Sequence, residues 1–488
     1  MAGLTLTSAR RRFVLLTALR ELPTGLTVPV TVLLASSRGL TPVEIGLAFS
    51  AHGVVVVLLE LPTGGLGDTL GRRPVLLLSG SIKVVALLLF VVAQTPLAFM
   101  LAFAVVGVGR ALDSGPLESW YVDAVQEVDP SADTTAGLSR AGVAQGAGLA
   151  VGAIGGGLLP LLSGAGLALP YWVAAGLVIV QLAFVARLVV PVGPVSVAVG
   201  PIATLQGGLR NVPRVVKQAV ALARRDRALR LLLGMAAGTG AALVTIELLA
   251  PLRFEALTGG AAEASGAYGV VVALGFAGAA AGSGLAPAGR RLWRGSAAKA
   301  IATASVAGAV VMLGLGLAGT VALLGAGFAA FYLCNGAGWP LRQQLLHTRV
   351  SAEHRSSMVS VMSLALQVGG LVMLQVAPRL FAVEPELAFG AAAAVLLLLA
   401  VVALRLPDER PVEPDPYATL RKADPPAGAA ADPPSAMTPP AAAPASSASP
   451  ATYAVLPTAD LADGPRRYVP TVDITESHDA RWVAPHKR

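Results

Sequence analysis

Charge and cysteine are what this sequence has least of. A single cysteine, Cys334, stands in 488 residues. It falls inside an apolar run, so neither a disulfide framework nor a thiolate metal site can be built. Asp, Glu, Lys and Arg together make 13% of the chain, against about 25% for a soluble domain. A soluble fold of this length needs more charged surface than that. No Walker loop, no His-Glu-x-x-His and no serine-hydrolase elbow occurs in the sequence, and its glycine-rich stretches lie in apolar runs where nothing aims backbone donors at a phosphate. ATP-driven pumping is therefore not expected. Neither is an enzyme, a metal or any cofactor.

What is present is apolar sequence in long runs. The chain is 55% hydrophobic, with a mean hydropathy of +0.70. A run of about 20 residues crosses a ~30 Å hydrocarbon core at ~1.5 Å per residue. Such segments lie at 13–36, 43–66, 73–94, 97–124, 134–161, 168–190, 229–252, 264–288, 296–317, 320–345, 355–377 and 385–405. The expectation is an all-α membrane protein of twelve transmembrane helices. Arg10, Arg11 and Arg12 before the first run imitate a signal peptide, but the run is too long for an h-region and lacks a cleavage site, so it reads as the first span.

A net charge of +8 could suggest nucleic acid. The basic residues instead sit in short clusters between apolar runs, so the expected partner is the lipid bilayer, with no nucleic acid. With the N-terminus inside, alternate loops hold Arg10 to Arg12, Arg72, Arg73, Arg140, the 210–230 cluster, Arg290, Arg291, Arg294, Lys299, Arg342, Arg349, Arg355 and Arg405. The opposite loops hold little beyond Arg38, Arg253 and Arg379. This bias places both termini in the cytoplasm. Arginine dominates over lysine in a chain rich in Ala, Gly and Pro, a composition suited to a GC-rich bacterial genome and a bacterial plasma (inner) membrane.

The longest internal connection, 191–228, divides the chain into six-helix bundles at 1–190 and 229–406. Its basic residues interleave with Val212, Val216, Val220 and Leu222, which fits either an amphipathic helix on the inner leaflet or a solvated cytoplasmic linker. From 407 to 488 the composition turns to Pro, Ala, Ser and Asp, too poor in apolar area to fold, so a disordered cytoplasmic tail is expected.

The most specific local pattern is Gly64-Gly65-Leu66-Gly67-Asp68-Thr69-Leu70-Gly71-Arg72-Arg73, between the second and third runs. Gly64 permits close helix approach, Gly71 a tight loop, and Asp68 with Arg72 a charge-assisted latch. The pattern resembles motif A of the major facilitator superfamily, where that latch closes the cytoplasmic side. Between runs 8 and 9 the chain keeps Gly284, Gly289, Arg290 and Arg291 but no aspartate, so a second latch is degraded or absent. In the fifth run Gly148, Gly152, Gly156 and Gly157 form a small-residue groove. They resemble motif C of drug–proton antiporters, with Ala153 where that pattern has proline.

Ionisable residues inside apolar runs are costly and need a partner or a wet cavity. Arg20, Glu21, Glu60, Lys83, Arg110, Asp113 and Glu247 are such residues, and Arg110 and Asp113 stand three apart, as a helical pair would. In the family resembled, spans 1, 4 and 7 line the cavity, which makes Arg20, Glu21, Arg110, Asp113 and Glu247 the proton-coupling and cavity candidates, with Glu60 beside them. His52, Gln145, Tyr332, Asn335 and Trp339 either touch substrate or pack between helices. The resemblance implies two bundles rocking about a midplane site, with a proton gradient as energy source. The function it implies is efflux of a small amphiphilic or drug-like molecule by a monomer. An importer or facilitator, and a non-transporting sensor or scaffold acting through the tail, are the other readings.

Overall fold

The computed structural model describes residues 4–63, 66–163, 166–192, 226–350 and 352–406, with 200, 203–208 and single positions between 210 and 224. The proposed amphipathic linker and the tail thus fall largely or wholly outside the described residues. All regular structure is helical: α1 (Leu6–Ser37), α2 (Pro42–Thr63), α3 (Leu66–Leu70), α4 (Arg72–Val92), α5 (Pro96–Leu112), α6 (Pro116–Val128), α7 (Thr135–Ser163), α8 (Leu169–Leu188), α9 (Arg227–Thr258), α10 (Ala261–Leu292), α11 (Ala297–Leu317), α12 (Val321–His347), α13 (Ala352–Val383) and α14 (Pro385–Leu404). Among the described residues, twelve stretches are long and apolar enough to cross a membrane, α5 and α6 together making the fourth. Their outward side chains are apolar: Leu162, Leu292 and Leu317 are three-quarters or more exposed. Lipid suits such a surface and water does not.

Capping residues set many helix starts. Thr5 forms a capping box with Ser8, and Thr95, Ser296 and Thr320 each accept a bond from the backbone N–H three residues on, satisfying donors the first turn leaves open. Pro23 and Pro29 lie within α1 without interrupting it. The fourth run, which reads as one helix, is broken. Asp113 caps the end of α5, Gly115 takes φ 150°, and Pro116 opens α6. Only glycine adopts that backbone cheaply.

Helices α1 to α8 pack among themselves, as do α9 to α14. The halves meet where α7 crosses α10 and α2 crosses α13, with α1 touching α9 and α10. Of the glycines at these crossings, Gly157 on Gly269 and Gly46 on Leu374 and Pro378 lie toward the end of the bundle that carries Gly39, Gly166 and Gly259, and Gly53 on Leu371 lies midway along α2. The halves close together at that end.

The two halves repeat each other contact by contact. Leu22 and Gly25 of α1 lie against Gly152 and Leu149 of α7, and Ala237 and Gly240 of α9 lie against Gly369 and Leu366 of α13. Phe49 meets Phe103 with ring centroids 4.2 Å apart, and Tyr268 meets Phe328 at 5.6 Å. Arg38 donates to the carbonyls of Phe90 (2.6 Å), Val91 (2.7 Å) and Ala93 at the end of α4. Arg253 does the same for Gly316 (3.3 Å) and Ala318 (3.1 Å) at the end of α11. Each guanidinium satisfies carbonyls that a helix end leaves without partners. Arg38→Met is expected to destabilise by about 1–3 kcal/mol, the range for charged hydrogen bonds to groups left unmet. Arg253→Met, with fewer and longer bonds, should lower the thermal unfolding midpoint in detergent by less.

Candidate functional site: charged and aromatic groups inside the bundle

In the first half, α1, α4 and the end of α5 bring four charged side chains together. Arg20 holds Glu21 (Nη2 to Oε1 3.0 Å) and lies 3.8 Å from Asp113 Oδ2. Lys83 of α4 donates to the Thr24 hydroxyl (2.8 Å) and the Arg20 carbonyl (3.3 Å). The four charges cancel, as buried charges must if they are to persist in a low-dielectric interior. The expected Arg110–Asp113 pair does not form. Because α5 ends at Leu112, Asp113 leaves the helical register and turns to Arg20. Arg110 is exposed and makes no ion pair among the described residues; it lies near enough to His52 and Glu60, both half-buried on α2, to act on them electrostatically.

Among the described residues the second half is almost free of internal charge. Glu247, midway along α9, accepts a hydrogen bond from the Tyr332 hydroxyl of α12 at 2.7 Å. Ile246 and Leu248 on either side are buried while Glu247 is exposed, so its carboxylate faces open space beside the aromatic wall of Tyr268, Phe328, Phe331 and Tyr332. No cation pairs with it among the described residues. Arg342, counted above among the loop charges that set orientation, is instead buried within α12 at 4% exposure. It donates to Asn335 Oδ1 at 3.2 Å and lies 5.8 Å over the Trp339 ring. The sequence signal for this was available. Asn335 and Trp339 precede Arg342 by seven and three positions, which puts all three on one helical face.

A sequence model of the Major Facilitator Superfamily matches residues 13–333, more than half of the chain. The chain belongs to the Major Facilitator Superfamily. Solved structures agree on the fold. The nucleoside transporter NupG superposes with a TM-score of 0.67 at 14% identity, covering 82% of this chain and 98% of that one. A peptide transporter, POT, in complex with sulfate gives 0.62 at 16%, covering 81% and 93%. The human organic anion transporter MFSD10 (TETRAN) gives 0.53 at 18%, covering 82% and 99%. No curated relative matches the chain in sequence.

The superfamily's motif A maps to the turn between α2 and α4. Gly71 takes φ 86° at the start of α4, while Gly64 and the Asp68 side chain lie outside the described residues. Arg72 donates from Nε to Asp123 Oδ2 of α6 at 3.5 Å, so this turn is tied to the fourth span of its own half. Arg73 is half-buried and makes no ion pair among the described residues. Gly148, Gly152 and Gly156 lie against Ala18, Leu22 and Leu26 of α1, and Gly157 lies against Ser265 and Gly269 of α10. One face of α7 thus packs within its half and the next packs across the halves.

Proposed function

We propose that this superfamily member is a proton-coupled exporter of a small amphiphilic molecule, with both termini in the cytoplasm of a bacterial cell. Residues 1–190 and 229–406 would rock against each other across the linker 191–228. The observation that carries the reading is Glu247: a carboxylate midway through a span, facing open space, with a phenol rather than a cation as its partner. Glu21 and Asp113 are held by Arg20, which suits them to structure and gating. Glu247 suits the exchange of a proton for the polar end of a solute, whose apolar body packs on the half-exposed ring of Tyr332, which Phe328 and Phe331 back from behind. With Arg10 to Arg12 inward, the end closed in this structure is the outer one. The glycine groove of α7 favours export over import through its likeness to motif C.

The test is transport of a panel of fluorescent and antibiotic compounds by everted vesicles, with and without a proton gradient. Gradient-dependent accumulation inside everted vesicles is expected; accumulation only in right-side-out vesicles would make the chain an importer. Truncation after Arg410 should leave transport unchanged, whereas a scaffold acting through its tail would lose its function.

A further inference from the structure

The repeat between the halves exposes a charge that only one of them balances. Thr24 and Thr239 each precede the crossing glycine of their helix, Gly25 and Gly240. Lys83 and Gly308 occupy the same position along α4 and α11, helices of equal length. In the first half the Lys83 side chain fills the gap between α4 and α1 and bonds Thr24. In the second half glycine replaces it, and a narrow cavity opens between Thr239, Ser305, Gly308, Asn335 and Arg342, with room for one small occupant.

The cation of this second place comes from α12. Arg342 lines the cavity and is buried. The carboxylates that balance Lys83 and Arg20 have no counterpart: Ala236 stands where Glu21 does and Gly338 where Asp113 does. No acidic side chain meets Arg342 among the described residues, and its only side-chain hydrogen bond is to neutral Asn335. Ser305, buried at 6% exposure, also lines the cavity, and neither its hydroxyl nor the Asn335 amide N–H groups find a partner among the described residues. A buried guanidinium without a counter-charge is costly, and the free donors of Ser305 and Asn335 line the same cavity and are open to an occupant of it.

We propose that this cavity binds a small monovalent anion of chloride size, held by the Arg342 guanidinium and the donors of Ser305 and Asn335. The anion supplies the charge that Glu21 and Asp113 supply in the other half. The site lies within the second half alone, so its occupancy does not depend on which solute is carried or in which direction.

The test is thermal unfolding of the full-length protein in detergent as chloride replaces gluconate at constant ionic strength. A saturable rise in unfolding temperature is expected for the wild type, reproduced by bromide, absent in Arg342→Gln and shifted at least tenfold to higher chloride in Ser305→Val. A wild type indifferent to chloride would overturn the proposal, as would an unchanged chloride response in Arg342→Gln. Stabilisation by organic carboxylates but not by halides would also overturn it, assigning the guanidinium to the acid group of a transported solute. If Arg342→Gln does not fold, Ser305→Val decides: an unchanged chloride midpoint contradicts the site.

Discussion

Glu247→Gln is expected to abolish gradient-driven transport, lowering solute accumulation at least about tenfold, the effect of removing roughly 1.4 kcal/mol of coupling. Solute counterflow at equal pH should persist. Glutamine keeps an oxygen to accept the Tyr332 hydrogen bond but cannot carry a proton. The substitution therefore separates coupling from binding, because the amide still hydrogen-bonds the polar end of the solute and holds Tyr332 in place. Asp113→Asn is the contrast. It weakens the grip on Arg20 and leaves the buried first-half cluster one negative charge short, so binding and coupling should fall together. Measuring counterflow and gradient-driven accumulation side by side in reconstituted vesicles distinguishes the two. A Glu247→Gln protein that still concentrates its solute would remove this residue from the coupling step.

Gly152→Val is expected to give little folded protein. The backbone of α7 at Gly152 rests directly on Leu22 and Gly25 of α1, and any Cβ there would lie within van der Waals contact of the Leu22 carbonyl. The obstructing atoms are main chain and cannot rotate away, so the helices must separate. Helices in lipid associate through close packing of small residues rather than through expulsion of water, so the lost contact has no hydrophobic replacement. Gly369→Val, the matching change where α13 rests on Ala237 of α9, should fail in the same way. Gly284→Val, where a side chain meets open space, should express normally. Yield of monodisperse protein after extraction reads all three.

The twelve spans were legible because lipid imposes a length and an apolar composition that few soluble helices share. The break at Gly115 was marked only by the breakers Ser114-Gly115-Pro116, and spanning helices tolerate such residues, as α1 does Pro23 and Pro29. The pairing of Asp113 followed from that break: three residues apart implies one helical face only while the helix continues. Arg342 stands near the end of its apolar run, where a basic residue looks the same in sequence whether it belongs to the loop or to the last turns of the helix. Burial, the Asn335 bond and the Trp339 ring show that it belongs inside. The repeat between halves was faint in sequence because the separation between equivalent residues changes from helix to helix, as the Leu22–Ala237 and Thr95–Thr320 pairs show. Only contacts such as Phe49–Phe103 and Tyr268–Phe328 align it. Of the ionisable candidates, the structure gathers Arg20, Glu21, Lys83 and Asp113 into one cluster, leaves Arg110 beside His52 and Glu60, and places Glu247 alone in the opposite half.

The central claim, that this chain moves a solute by coupling it to protons, is tested most directly with purified wild-type protein in proteoliposomes under an imposed pH gradient. The internal pH is followed as each compound of the panel is added. Addition of a transported compound should collapse the gradient faster than the lipid leak, and the effect should disappear in Glu247→Gln liposomes. Solute movement of equal rate with and without the gradient, and with no proton flux, would contradict the account and leave a facilitator.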